Sequence, residues 1–448
     1  MQRFTFDPGR PVYSASSPGR LDVMGGIADY SGSLLLQMPI AEKTTVSVQL
    51  RGDRIFRISS AHAGAQEREA LINLDITPKM TDEELREHIR SQQGGEWATY
   101  VVGCFIILNR QAGIPITGAD ILISSDVPVG KGVSSSAALE VATMLAIMRA
   151  YGMEPDRILL PLWAQQVENR ISGAACGLMD QLSVCLGEKK KLLPLICQPH
   201  TVLEALPIPT GVQFSGLDSG VRHAVEGASY GDVRTAAFMS YSIIAAEHGI
   251  GPEVIRQACL TGSRSTLPYG GYLSNIPISI FEQRYASSIP VFMKGSDFLT
   301  RFGGTIDTET QVDPVKTYAL SACARHPVHE HSRVSSFARL LRSYSKSRDK
   351  YELLCAMGEL MMQSHASYSM VGLGNPRTDE IVDMVREAGP AKGVYGARIS
   401  GGGSGGTVVV MTAGKEGKAA LRDLYTGYRR KYGRGICLFS GSSDGALI

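Results

Sequence analysis

Apolar and polar residues alternate along KTTVSVQLRGDRIFRIS, Lys43 to Ser59, with β-branched residues enriched, and this predicts a hairpin. WATYVVGCFIILNRQAG, Trp97 to Gly113, predicts a helix ending at its glycine. GADILISSDVP, Gly118 to Pro128, predicts a strand. PVGKGVSSSAALEVATML, Pro128 to Leu145, follows as loop and helix, and another helix falls near Leu160 to Ile171. Turn residues cluster at PIPTG, Pro207 to Gly211, between two strand-like runs, so the expected domains are 1–209 and 210–448. Beyond that boundary FSGLDSGVRH, Phe214 to His223, predicts a strand leaving into a loop. Helices fit Tyr230 to Glu247, Arg333 to Tyr344 and Lys350 to Ser369. GARISGGGSGGTVVVM, Gly396 to Met411, predicts strand, glycine turn, strand. No internal repeat or disordered linker interrupts the series, and the mixture predicts two α+β domains.

Bulk composition narrows the partners. The 448 residues are 44% hydrophobic and 20% charged, with a formal net charge of +2. That balance gives no electrostatic case for nucleic acid or an anionic membrane. The one basic run, Lys189 to Lys191, has no interleaved aromatics and reads as a solvated loop. Eight cysteines lie between Cys104 and Cys437 without a CxxC pair, which predicts reduced thiols in a cytoplasmic protein. The spacing of Cys176, Cys185 and Cys197 fits no zinc template. The first twenty residues lack the apolar core of a signal peptide, and the longest apolar stretches are too short to span a bilayer.

Chemistry concentrates in the glycine-rich stretches. Gly130 and Gly132 allow close backbone approach to an anion, and the helix behind them supplies unpaired N–H groups and a positive dipole end. Val133 lies between those glycines and three hydroxyls. Ser134, Ser135 and Ser136 can cap the helix, bind phosphate oxygens or ligate magnesium, while Lys131 offers another positive charge. Simple capping by Ser134 needs only one serine; three after two glycines favour phosphate. The loop is not a Walker A sequence. Gly401, Gly403 and Gly406 satisfy G-x-G-x-x-G, yet a strand follows them, so the dinucleotide-binding helix is absent. No HRD, DFG or VAIK accompanies them, which excludes a protein kinase.

SPGRLDVMGGIADYSGS (Ser17 to Ser33), PVGKGVSSSAALE and GARISGGGSGGT occur in that order near the start, middle and end. Together they resemble the three signature motifs of the GHMP kinases, and the likeness spans nearly the whole chain. Within that family the sugar 1-kinases of the galactokinase type are nearest. CGLMDQ (Cys176 to Gln181) resembles the segment with their catalytic aspartate, and ARHPVHEHSRV and GELMMQSHASY resemble helices of their second domain. The kinase portion of plant L-arabinokinases is closer still, on PGRLDVMGGIADYSGS, the run from LMDQ to ICQP, DSGVRH and ISGGGSGGT.

The resemblance implies an N-terminal domain of the ribosomal S5 type, a C-terminal ferredoxin-like domain, and a cleft between them for a sugar and Mg-ATP. It implies that Asp180 acts at the anomeric hydroxyl and that Arg20 stabilises the transferring phosphoryl group. It implies Ser136 and Glu168 as magnesium ligands, Asp29 and Tyr230 as sugar contacts, and Gly177 beside the sugar. Gly401, Gly402, Gly403 and Ser404 form the third motif near the site. Read alone, Asp180 is equally a helix cap, Glu168 a solvated helix face and Arg20 a surface ion pair.

One departure bears on selectivity. Galactokinases usually read GEHTDY where this chain reads GGIADY, so Gly26 and Ile27 replace a glutamate and a histidine. Those side chains lie towards the hexose C6 hydroxymethyl group, which L-arabinopyranose lacks. Ile27 leaves that hydroxyl unpartnered, and a pentose therefore suits the pocket. The expectation is an L-arabinose 1-kinase, monomeric or a weak homodimer; the alternatives are another sugar 1-kinase, galactokinase foremost, and a non-catalytic sugar and ATP sensor.

Overall fold

The computed structural model describes residues 5–62, 68–75, 80–174, 176–198, 200–222, 230–264 and 266–448. Eight strands build the first sheet: β1 (Tyr13–Met24), β2 (Leu34–Leu50), β3 (Ile55–His62), β4 (Arg68–Asn73), β5 (Ala119–Ser125), β6 (Lys191–Cys197), β7 (His200–Val202) and β8 (Leu206–Pro207). Their order is β4-β3-β5-β2-β6-β7, with β1 on β2 and β8 on β6. The expected hairpin from Lys43 to Ser59 does not form. Both strands exist, but β5 lies between them, antiparallel to β2 and parallel to β3. A strand from sixty residues downstream outcompetes the local pairing because its alternate residues Ala119, Ile121 and Ile123 are core residues.

The helices Gly95–Ala112 and Ser135–Ala150 pack together, and the second of them lies against β1 and β2. Gly113 ends the first in the left-handed conformation with φ 70°, as its sequence predicts. The helix expected near Leu160 to Ile171 is Leu159–Gln166 followed by a wider π turn, Val167–Ser172, which carries Glu168.

β9 (Val212–Asp218) opens a second, four-stranded antiparallel sheet ordered β12-β13-β9-β14. Its other members are β12 (Val394–Ile399), β13 (Thr407–Ala413) and β14 (Leu438–Ser440). A small pair, β10 (Met293–Lys294) and β11 (Thr317–Tyr318), lies apart. TVVVM is apolar throughout because both faces of β13 are covered. Val409 and Met411 join Leu21, Val23, Phe214 and Phe337 in a cluster that spans both sheets. Val408 and Val410 face Ile381, Val382 and Leu421 instead. The helix expected from Arg333 starts earlier, at Leu320, and runs through Pro327, since Cys323, Ala324 and Val328 are needed in the core.

The chain crosses between sheets a second time. After β14 it returns to the first domain, where Gly445, Ala446 and Leu447 donate to the carbonyls of Gly187, Val184 and Cys185. Ser443 donates to the carbonyl of Ile40 as well. All eight cysteines are unpaired. Among the described residues no helix is long and apolar enough to cross a membrane.

Candidate active site

The loop before the helix Ser135–Ala150 takes an unusual backbone path. Gly130, Gly132 and Ser134 have φ of 74°, 70° and 59°, alternating with right-handed or extended neighbours. Such alternation shapes an anion-binding concavity of N–H groups, and the helix start adds its own unpaired donors. Ser134 makes no capping bond, and its buried hydroxyl has no partner. The capping alternative therefore fails, and an orphaned donor is left beside the helix mouth. Ser135 and Ser136, in the first turn, remain half-buried. Lys131 does not face the loop freely: its ammonium is 2.7 Å from the buried Asp218 carboxylate.

Arg20, at the middle of β1, gathers the rest. It is only 3% exposed. Its Nε and Nη2 both donate to Asp180 Oδ1, at 2.9 and 2.7 Å, while Nη1 donates to the Gly132 carbonyl at 2.7 Å. Its backbone N–H donates to the Val133 carbonyl at 3.1 Å. One guanidinium thus joins the glycine loop to the carboxylate at the start of the helix Met179–Leu186, and the surface ion-pair reading of Arg20 is excluded. The third motif backs the same group. A side chain at Gly401 would sit 3.0 Å from Arg20 Nη2, and Gly403 lies equally tight on Leu373 and Tyr368. Ser404 donates from its backbone to the Leu373 carbonyl, and Gly402 is half-buried between these anchors.

A second carboxylate lies near enough to feel the charge of Asp180. Asp29 sits in the buried turn Gly26–Ser31 and accepts the Tyr230 hydroxyl at 2.7 Å. Burial pushes its carboxyl up to about 6, against the pull of the Tyr230 hydrogen bond and the nearby Arg234. Gly177 presses on it: a side chain there would begin 1.8 Å from Asp29 Oδ2. Gly26 is closed off differently. Its φ is +46°, and an added Cβ would lie 1.6 Å from the Tyr368 hydroxyl. Ile27 is 1% exposed and belongs to a core cluster with Tyr30 and Phe238.

Ser136 and Glu168 do come together: the Ser136 hydroxyl lies near enough to the Glu168 carboxyl to pull its pKa down. Burial, with the Asp180 charge adding to it, pushes Glu168 up to about 7, so the solvated-face reading does not hold. Gln181 bridges Glu168 and the wholly buried Glu140 through its amide, at 3.0 and 3.4 Å. One hydroxyl and one raised carboxyl are hard oxygen donors of the kind magnesium takes alongside phosphate oxygens. Among the described residues no cluster of three acidic, histidine or cysteine side chains forms a self-contained metal cage.

Several groups here went unread in the sequence. Asp22 and Arg398, both fully buried, pair at 2.7 Å, and Gln37 donates to the same carboxylate at 2.6 Å. Asp218 neutralises Lys131. Tyr368 donates to the Gly401 carbonyl at 2.8 Å and accepts the Ile27 N–H at 2.9 Å. The available signal was charge inside an apolar strand, as in RLDVM and GARIS, since such charges are buried only when paired.

Comparison with known proteins bears directly on this arrangement. Residues 99–188 match the GHMP kinases N terminal domain and residues 351–429 the GHMP kinases C terminal domain, in that order. The chain belongs to the GHMP kinase family. Among curated relatives of this GHMP kinase, the L-arabinokinase of Arabidopsis thaliana is 37% identical over 97% of the chain. The chain spans 46% of that relative's length. A galactokinase of Chloroflexus aggregans is 29% identical over 95% of the chain and 90% of its own length. The galactokinase of Lactococcus lactis, solved with galactose, superposes with a TM-score of 0.69 at 21% identity, covering 97% of this chain and 94% of its own. The mevalonate kinase of Methanococcus jannaschii superposes at 0.55 with 14% identity, covering 98% and 99%. The two-domain α+β fold is therefore that of the GHMP kinases.

Proposed function

We propose that this GHMP kinase transfers the γ-phosphoryl group of ATP to the anomeric hydroxyl of L-arabinose, giving β-L-arabinose 1-phosphate and ADP. The observation that carries the reading is the Arg20 guanidinium, held between the Gly132 carbonyl of the phosphate loop and Asp180. In this reading Asp180 accepts the hydroxyl proton as the sugar oxygen attacks phosphorus and the bond to the ADP oxygen breaks. Arg20 offsets charge on the phosphoryl group in flight. N–H groups of Gly130 to Ser136 and the free Ser134 hydroxyl hold the phosphates. Ser136 and Glu168 would hold magnesium, which when bound neutralises charge on the nucleotide phosphates. Asp29 and Tyr230, packed against Gly177, orient ring hydroxyls, and the third motif from Gly401 to Ser404 braces Arg20.

The pentose preference draws support from Gly26, because the volume of any side chain there is filled by Tyr368, whose hydroxyl already uses both hydrogen bonds. The plant relative's name agrees with that choice. Galactose is the second reading, favoured by the galactokinase relative of near-equal length. We further assign domains 1–209 and 210–448, a cytoplasmic location and a monomer or weak homodimer. Initial rates of ADP formation with Mg-ATP and L-arabinose, D-galactose or D-glucuronate test the assignment. Turnover on L-arabinose alone supports it, preference for galactose moves the substrate, and silence on every sugar with binding intact leaves a sensor.

A further inference from the structure

Three motifs converge on the site, and among the described residues Tyr368 touches both the sugar-side turn and the third glycine turn, as does the Asp22 carboxylate, which accepts the Gly26 N–H at 3.1 Å and the Gly401 N–H at 3.3 Å. Tyr368 lies near the end of the helix Lys350–Met370, with no exposure to solvent. Its hydroxyl accepts the Ile27 N–H at 2.9 Å, two residues before Asp29. The same hydroxyl donates to the Gly401 carbonyl at 2.8 Å, in the residue whose α-carbon backs Arg20. Its ring is held by the edge of His326, with centroids 5.5 Å apart, and by the Arg398 guanidinium 5.0 Å from its centre. Arg398 is fixed in turn by Asp22 and Ser364. The phenol is therefore rigid, saturated in hydrogen bonds and wedged into the space a side chain at Gly26 would need.

We propose that Tyr368 is a positioning residue whose hydroxyl locks the Asp29 turn to the glycine turn behind Arg20, with a glycine at 26 as its required counterpart. Sugar orientation and phosphoryl stabilisation then share one buried oxygen, contributed by the domain opposite to the one that carries Asp29. The kinetic part of the proposal rests on the sugar-kinase reading; its structural part does not.

The test starts with Tyr368→Phe, which keeps the ring and removes the oxygen. Hydrogen exchange should rise by about tenfold or more in peptides covering 24–31 and 400–406 together, with the helix Ser135–Ala150 unchanged, because both turns lose the same partner. Steady-state kinetics should show sugar KM raised and kcat lowered, each by about tenfold, with ATP KM within twofold. Gly26→Ala should cost more than about a hundredfold in kcat/KM, and less in the Tyr368→Phe background, where the contact of 1.6 Å with the hydroxyl is gone. Those of 2.7 Å to Asp22 Oδ2 and 2.8 Å to Arg398 Nη2, and the strain of a positive φ, are common to both and cancel in the cycle. A merely structural tyrosine would give additive losses and a lower melting temperature without the split in KM and kcat. Exchange that rises in neither turn, or in one only, overturns the lock whatever the enzyme's substrate. If Gly26→Ala fails to fold, the exchange result with Tyr368→Phe still decides. A wild-type protein silent on every sugar defeats the kinase reading, while the exchange result continues to judge the lock.

Discussion

Asp180→Asn separates catalysis from counter-ion duty. The substitution preserves shape and can keep an oxygen towards Arg20 Nε and Nη2, which now donate to Oδ1 at 2.9 and 2.7 Å. What it removes is charge and basicity. Replacing charge-assisted bonds to a guanidinium by neutral ones costs about 1–2 kcal/mol, and Arg20 keeps its Gly132 carbonyl. For domains of this size that is a fall of roughly 2–8 °C in melting temperature. The catalytic loss is larger, because a positioned base contributes about 10²–10⁴ in rate, or about 3–5 kcal/mol of barrier. Expected results are kcat for ADP release down by at least about a hundredfold, with L-arabinose affinity by calorimetry within about threefold. Turnover within threefold of wild type would refute the reasoning and reduce Asp180 to the partner of Arg20. A loss of sugar binding equal to the loss of rate would refute it differently, by making the carboxylate a binding group.

Four further outcomes follow from the same geometry. Ser134→Ala should leave the melting temperature unchanged within about 2 °C while raising ATP KM by about fivefold or more, since the hydroxyl has no partner in the protein. Lys131→Met strands the buried Asp218 carboxylate, so thermal unfolding should show a loss of about 3–5 kcal/mol, a stability defect before a nucleotide-binding one. Gly177→Ala should displace the Asp29 carboxylate from 1.8 Å and abolish sugar binding, with ADP binding by calorimetry retained. Asp29 is raised to about 6, so sugar KM should climb as pH falls through that value and the carboxylate protonates; Asp29→Asn should flatten the profile. For stability the sign is opposite: the raised carboxyl favours the fold below its unfolded pKa, and that contribution is lost as pH rises through about 6.

Local chemistry in this sequence was legible, and long-range partnership was not. The glycine spacings predicted the loop from Gly130 to Ser134 and the β12–β13 turn because a positive φ leaves a mark in the residue that must adopt it. The helix at Gly95–Ala112 followed from its terminal glycine, and the one at Tyr230–Glu247 keeps the limits its sequence predicts. The hairpin from Lys43 failed because β5 is a better neighbour for both strands than either is for the other, and nothing within that window records it. The pairing of Lys131 with Asp218 went unread because the two are remote in sequence. Arg20 and Asp180 lie 160 residues apart, and Asp22 and Arg398 lie 376 apart. Only a resemblance that carries the whole arrangement places such pairs together, which is why the motifs fixed the family and left Tyr368 and Arg398 unassigned.

The return of residues 443–447 onto Gly187 has a consequence in time. During synthesis the carbonyls of Val184, Cys185 and Gly187 emerge long before their partners. At roughly 5–20 residues per second, about 13–52 s separate Gly187 from Gly445. Throughout that interval the first domain waits on the ribosome with the end of the helix Met179–Leu186 unsealed, and for most of it β9 has neither of its eventual neighbours, β13 and β14. Closure of the first domain is therefore governed by residues 443–447, and chaperone demand should be highest on a nascent chain that has not yet released them.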